Sequence, residues 1–560
     1  MVLNLGTDFC LPEEQWKDLA NRIEEIVTGQ HALFDYPEEL ETLAELYARR
    51  MIAYHGEATV TRSDPDYQRV DVDTIDHERP RSIGAEHVVY ETIKALGLDE
   101  LLKTLGFNKP ALDVALGVMA AKLIAPASER ATHEWLMNTS ALGDLLETDF
   151  VNLSQDRVYK VSDMLLRHKQ AIEQHLRLRE CNLFNLNEKI LLYDLTNTFF
   201  EGTGKYNGKA RFGVSKEKRS DCPLVTLGLV IDADGFPKHS HVFGGNVSEP
   251  GTLAGMIDAL ASAALSTKPL IVMDAGLATE NNILWLKAQG YEYIMVSRKK
   301  TREAPDEMVT VRDDRRRLIR TALVQSDDEV ILYCHSTDKQ IKEEGIKNRF
   351  EQRFEEALEK VGQSLHKKHG TKRYDRVLEK IGRLKERFRR VARRYEITVD
   401  QDGKNLATAI QWERKEQPDT CGLYCLRSNR LDFKEQEMFD TFSMLTDIED
   451  TFRSMKSELG LRPIYHQKEH RSDGHLFLTV LAYHIAHAIR FRLREKGINH
   501  NWGTIRKGLS THVRITTTMK RDDGKVIHIR KSTRPEPFHL KIYNALRLSH
   551  RPGKTIKTSL

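Results

Sequence analysis

Asp194 and Asp274 each close an apolar run, Lys189-Ile190-Leu191-Leu192-Tyr193-Asp194 and Leu270-Ile271-Val272-Met273-Asp274, and Glu449 follows far downstream. Runs of β-branched and long aliphatic residues predict buried strands, and a carboxylate at the exit of such a strand is costly unless a cation meets it. Three carboxylates drawn to one point repel one another. A hard divalent cation such as Mg²⁺, which takes oxygen ligands, turns that repulsion into coordination. The pattern predicts a metal site, and phosphoryl transfer is a chemistry that commonly needs one. Taken singly, either aspartate fits a strand-end cap and Glu449 fits a solvated helix position. Their joint occurrence points to a site.

The elements that must position them are legible between 186 and 297. Strand signals fall at 188–194, 224–232 and 236–243, with a turn at Asp234-Gly235 between the last two. Apolar periodicity then predicts a helix over 251–265, the strand ending at Asp274, a helix from Glu280 to Gln289 and a strand from Tyr291 to Ser297. This β-β-β-α-β-α-β order puts Asp194 on the first strand and Asp274 on the fourth. With those strands adjacent and parallel, both carboxylates leave the sheet at the edge where open α/β sheets hold ligands.

At 560 residues the chain exceeds one ordinary core. Residues 1–185 read as a mostly helical N-terminal region that could bind DNA, with Arg79-Pro80-Arg81-Ser82 as a connector. Residues 186–297 are the first part of the α/β core, and 298–432 an insertion of strand-like pieces around an αα-hairpin. One hairpin helix spaces Ile346, Phe350, Phe354, Leu358, Val361 and Leu365 at three or four, the other Tyr374, Leu378, Ile381, Leu384, Phe388 and Val391. Residues 433–497 complete the core, with a helix over 436–459 whose face carries Phe442, Glu449 and Lys456 at intervals of seven. A further helix covers 475–493, and 498–560 form a basic C-terminal region.

The net charge of +4 conceals a polarity. Residues 1–50 hold 11 Asp/Glu against 4 Lys/Arg, residues 491–560 hold 17 Lys/Arg against 4 Asp/Glu, and residues 341–395 hold 18 against 9. Two basic regions in a chain with a carboxylate site predict a polyanionic partner such as nucleic acid. With 40% hydrophobic and 30% charged residues, and Asp113 and Lys122 interrupting its most apolar segment, Pro110 to Ala127, the chain is expected to have no membrane span. The first residues lack a basic and apolar leader, and six cysteines are too sparse for a disulfide framework, which predicts a cytoplasmic, nucleoid-associated location. His466-Gln467-Lys468-Glu469-His470 matches the H-x-x-E-H zinc-peptidase pattern. Pro463 before it and Asp473-Gly474 after it predict a loop instead of the helix that chemistry needs. His239 and His241, two apart on a strand, are expected at the surface or against nucleic acid.

Taken together, these residues resemble the DDE transposases of bacterial insertion sequences, in the group whose last catalytic helix carries Tyr, two residues, Arg, three residues, Glu, six residues, Lys. Here that spacing gives Phe442, Leu445, Glu449 and Lys456, so Glu and Lys match while Phe and Leu replace Tyr and Arg. Further similar stretches are Tyr193 to Thr198, Ser215 to Asp221, Asp234 to Pro237, Gly245-Asn246, and Phe452 to Ser457 leading to Leu461-Arg462-Pro463. The resemblance implies an RNase H-like mixed sheet (β-β-β-α-β-α-β-α) interrupted by an insertion before the last catalytic helix. It implies Asp194, Asp274 and Glu449 as ligands of two Mg²⁺ ions (or Mn²⁺), and phosphate contacts from Lys456, Arg453 and Arg462. It further implies double-stranded DNA as partner, both terminal inverted repeats and target, and a homodimer acting on paired ends. The loop over 203–221 is a candidate DNA contact. Rival readings are an RNase H-like nuclease that cuts without joining and a catalytically silent DNA-binding protein.

Overall fold

The computed structural model describes residues 11–28, 36–54, 57–58, 66–214, 219–261, 268–297, 305–314, 317–326, 328–415 and 420–559. Its centre is a mixed nine-stranded sheet. The strands are β1 (Ile190–Phe199), β2 (Leu224–Asp232), β3 (Pro237–Gly244), β4 (Leu270–Met273), β5 (Tyr293–Val296), β6 (Val309–Asp314), β7 (Arg317–Gln325), β8 (Val330–Ser336) and β9 (Leu423–Ser428), in the spatial order β3-β2-β1-β4-β5-β9-β8-β7-β6. The pairs β1–β4 and β4–β5 are parallel, and the other neighbours are antiparallel. Helices Leu253–Ala261 and Glu280–Ala288 cross between the parallel strands. Every residue of β2 is buried, which is why its sequence is a nearly continuous apolar run: both faces of the strand are covered. The β2–β3 turn closes on Asp232, whose Oδ1 accepts from the backbone N–H groups of Asp234 and Phe236 at 3.0 and 2.9 Å.

Three local expectations change. First, β1 runs to Phe199, five residues past Asp194, because Thr196, Asn197 and Thr198 continue the ladder with β2. Threonine suits a pleated surface, and an apolar-run reading passes over it. Second, the strands of 298–432 extend the same sheet, β9 pairing with β5. Its two long helices, Thr337–His366 and Tyr374–Arg387, share a separate core with the strand pair Tyr395–Gln401 and Ala407–Arg414, while Ile346, Phe350 and Leu378 stay exposed. Third, the helix expected over 436–459 is two helices, Glu435–Ser443 and Leu445–Ser457. Thr441 and Ser443 hydroxyls bond back to the carbonyls of Glu437 and Phe439, a device that bends helices, and Met444 N bonds to the Thr441 carbonyl instead of the one a full turn back.

Helix Glu469–Arg494 runs through the larger core against helices Gly84–Ala95, Lys109–Ile124 and Gln155–Arg167. Its length and composition would let it cross a bilayer, but 83% of its apolar window is buried by these neighbours. It begins six residues before the expected start at 475, so Asp473-Gly474 does not break it.

Residues 57–82 and 513–559 meet in a five-stranded antiparallel sheet, ordered Glu57–Ala58, Ile556–Ser559, Val526–Ser532, Val513–Arg521 and Val70–Ser82. The stretch 79–82 belongs to its outermost strand instead of a connector. Pro80 is accommodated because the pairing with Val513–Arg521 shifts register between Arg514 and Thr516, leaving Arg79 and Pro80 at a bulge where a missing N–H costs no ladder bond. Asp144 ties this sheet to the helical layer. Its carboxylate takes Arg530 at 2.7 Å and Arg514 at 3.2 Å, both guanidiniums being almost fully buried. Burial alone would raise the Asp144 carboxyl, but the hydrogen bonds and charge of Arg530, backed by Arg514 and Arg79, hold it below the usual carboxylate range. Because the folded value is the lower one, this stabilisation is present above the unfolded Asp range and is lost as pH falls through the folded value. Asp144→Asn, which strands two buried cations, is expected to cost about 3 kcal/mol. Urea melts at neutral pH should record that loss, and the gap to the wild type should narrow on acidification.

Candidate active site

The register of β1 against β4 decides where the two aspartates stand. Ile190, Leu191, Leu192 and Tyr193 pair in parallel with Leu270, Ile271, Val272 and Met273, so Asp194 and Asp274 occupy the next position on neighbouring strands. Side chains alternate along a strand. Leu191, Tyr193, Ile271 and Met273 enter the smaller core under helix Leu253–Ala261, whereas Leu192, Leu270 and Val272 enter the larger one. Asp194, one step past Tyr193 on β1, therefore shares the larger-core face with Leu192, while Asp274 leaves the sheet at the same edge as the first residue after β4. Both are half-buried. The backbone N–H of Gly276 donates to Asp274 Oδ1 at 2.7 Å, fixing that carboxylate in the turn that leaves β4.

The helix Leu445–Ser457 lies on that same face. It packs on β1 through a buried stripe of Ile448, Thr451, Phe452 and Met455. The Thr451 hydroxyl bonds to the Tyr483 hydroxyl at 2.9 Å, and Thr198 of β1 donates to the Leu461 carbonyl at 3.3 Å just beyond the helix. Glu449 sits beside Ile448 on the exposed border of this stripe, and Lys456, half-buried, lies two turns on. Arg453 points to solvent and pairs with Asp450 at 2.7 Å. Arg462 is half-buried, and burial lowers its pKa, although a guanidinium keeps its proton. Phe442 and Leu445 both pack against the larger core, Phe442 beside Tyr424 with ring centroids 6.5 Å apart. Among the described residues, the trio whose ligand atoms all lie within 4.8 Å of one another is Glu129, His466 and His475, and Asp194, Asp274 and Glu449 are not drawn together that tightly.

One further carboxylate, not among the residues expected from the sequence, stands beside Asp274. Glu249 follows Gly245-Asn246 in the short helical turn Glu249–Thr252. A Cβ on Gly276 would strike Glu249 Oε2 and stand 3.0 Å from Asp274 Oδ1, so both acids border one small space that only glycine leaves open. Tyr193 reports the same grouping from the other face: its hydroxyl, bonded to Thr252 at 2.6 Å, has its pKa raised by burial first and by the charges of Asp194 and Glu249 after it. A lone Glu after a Gly-Asn turn carries no sequence signal of its own.

The other motifs resolve differently. His239 pairs with Glu173 at 3.0 Å, and His241 packs on Phe243. In H-x-x-E-H, His466 precedes the helix that starts at Glu469 and His470 lies on it, so the two imidazoles do not share a helix face. Of the loop over 203–221, residues 215–218 lie outside the described residues; Tyr206, Phe212 and Val214 are strongly exposed.

Residues 187–485, more than half of the chain, match the family described as Transposase DDE domain. The chain belongs to that family of transposases. Both aspartates and Glu449 fall inside the matched span, and DNA transposition by an enzyme that uses divalent metal ions is the family's general activity. No curated protein sequence matches this transposase. A solved structure of the piggyBac transposase synaptic complex with hairpin DNA aligns at 8% identity over 72% of this chain and 70% of that one, with a TM-score of 0.35. Within the transposase, Gly276→Ala is expected to push the Asp274 and Glu249 carboxylates apart. Mn²⁺ affinity, followed by electron paramagnetic resonance, should fall about tenfold with little change in melting temperature.

Proposed function

We propose that this transposase cleaves DNA at the ends of an insertion sequence and joins them to target DNA, using Asp194, Asp274 and Glu449 to hold two Mg²⁺ ions or Mn²⁺ in their place. The observation that carries the reading is the parallel register of β1 and β4, which brings Asp194 and Asp274 out side by side at one edge of the sheet, with the Glu449 helix packed on β1. The donor set suits the ions: these are hard carboxylate oxygens, and the space beside Asp274 is kept clear by the missing Cβ of Gly276. Such a pair of ions, when bound, activates a water or a DNA 3′-hydroxyl and stabilises the leaving oxygen of an in-line displacement. Asp194 is held by the backbone of a paired strand and Asp274 by the Gly276 N–H in the turn after one, which gives both little freedom. Glu449, exposed on its helix, has three side-chain torsions with which to close on them.

Lys456, on the same helix as Glu449, supplies a point charge for a phosphate oxygen, and Arg462, in the segment after that helix, a half-buried guanidinium. Arg453 would exchange Asp450 for phosphate. The order β3-β2-β1-β4-β5, with β2 antiparallel to both neighbours, supports an RNase H-like core extended by β6–β9. The Glu449-to-Lys456 spacing supports the insertion-sequence group. Exposed Arg383, Lys385 and Arg387 on the helical hairpin, with Arg389 and Arg390 just after it, offer DNA a basic surface, whereas Arg514 and Arg530 of the basic tail are taken up inside the fold. The proposal includes a homodimer on paired ends and a place on the nucleoid in the cytoplasm, a compartment that suits the five described cysteines, all free thiols.

The test is cleavage of a labelled terminal-repeat duplex and strand transfer of a pre-cut end, each with Mg²⁺ and with chelator. Asp274→Asn and Glu449→Gln are expected to lower both rates at least a thousandfold while DNA binding persists. Normal cutting by either variant would place the chemistry elsewhere. Cutting without joining would favour a nuclease, and binding without either step a silent DNA-binding protein.

A further inference from the structure

We infer that Glu129, His466 and His475 form a second metal site, built for a borderline ion such as Zn²⁺ and independent of the carboxylate site. Glu129 stands in the first turn of helix Glu129–Asn138, His466 in the segment between the Glu449 helix and helix Glu469–Arg494, and His475 on the latter. Three separate parts of the fold thus bring one ligand each to a common point. The ligand atoms all lie within 4.8 Å of one another, and His466 Nε2 already meets Glu129 Oε1 at 2.7 Å. His466 and Glu129 keep 10% and 15% of their side-chain surface, enough for an ion to enter and little enough to shed its water.

Two imidazoles and one carboxylate are a poor set for Mg²⁺, which prefers oxygen and keeps its waters, and a good one for Zn²⁺, which accepts three protein ligands and leaves a fourth position open. His475 has the surroundings of a ligand. Its Nε2 lies 3.4 Å from the Leu461 carbonyl, where an N–H would be directed, leaving Nδ1 with a lone pair. Lys122 Nζ lies 3.4 Å from that Nδ1 and 3.0 Å from the Gly460 carbonyl, so an entering ion must displace the ammonium from His475.

The position gives the ion a task. The segment carrying His466 is joined to the end of β1, Ile464 N bonding to the Phe199 carbonyl at 2.9 Å and Glu201 N to the Ile464 carbonyl at 2.8 Å. Asp194 is on β1, and Glu449 is on the helix from which the segment departs. A metal clasp here would fix both to the helical layer. Of the H-x-x-E-H motif only His466 is used, since Glu469 turns to Lys209 at 3.5 Å and His470 to Asp163 at 4.0 Å.

The experiment titrates the full-length, chelator-treated protein with Co²⁺ in a large excess of Mg²⁺, which occupies hard carboxylate sites. The wild type is expected to take up one equivalent, with the visible absorption of a four- or five-coordinate nitrogen-ligated Co²⁺, and to release it to Zn²⁺. His475→Ala and the nearly isosteric Glu129→Gln are expected to weaken uptake at least tenfold, while Asp274→Asn leaves it unchanged. Zn²⁺ should raise the melting temperature of the wild type and leave that of Glu129→Gln where it is. Absence of saturable Co²⁺ uptake by the wild type overturns the inference, as does uptake that survives undiminished in both variants. Because Asp274→Asn is a separate arm, failure of the carboxylate site would leave this result readable.

Discussion

The parallel contact between β1 and β4 is the constraint on which the site depends. Two strands in parallel register deliver the residues that follow their last paired position to the same edge of the sheet, and here those residues are Asp194 and Asp274. Placing two half-buried carboxylates side by side is unfavourable on its own terms. The strands accept it because their other side chains are buried in two cores, each large aliphatic residue contributing about 1.5–3 kcal/mol relative to exposure. The scaffold therefore holds the acids in a geometry that a hard cation would relieve.

The third acid is held by helix packing instead of strand pairing. Leu445–Ser457 is anchored from below by Ile448, Phe452 and Met455 and from the side by the Thr451–Tyr483 hydroxyl pair. Its Glu449-bearing edge is left at the surface. A rigid pair of acids and a more adjustable third form a division of labour that follows from the kinds of element involved. Glu249, brought in by the turn after β3 and bordering Asp274 across Gly276, shows how much of the site is supplied by a connection between elements.

Around this centre the fold joins parts of the chain that are remote in sequence. The sheet shared by residues 57–82 and 513–559 is held to the helical layer by Asp144 between two buried arginines, and the segment leaving the Glu449 helix is held to β1 by backbone bonds. Charge that looks like an exposed polybasic tail is partly structural. The exposed basic surface lies on the helical hairpin, whose separate core lets it stand off the main sheet.

By itself the sequence determined the strands and helices whose patterns are local: the all-buried β2, the turn at Asp234-Gly235, the run ending at Asp274, and the heptad step from Glu449 to Lys456. These rest on periodicity and on turn residues, which need no partner to be read. Tertiary structure alone decided which strands are neighbours, that β1 continues past Asp194, that Met444 divides the helix before Glu449, and that Arg79-Pro80 sits at a bulge instead of in a linker. It also decided that Glu129, His466 and His475 meet, and that Glu249 faces Asp274. The physical reason is the same in each case: a register, a bulge or a cluster is set by atoms far away along the chain, and those contacts leave no period in the local sequence.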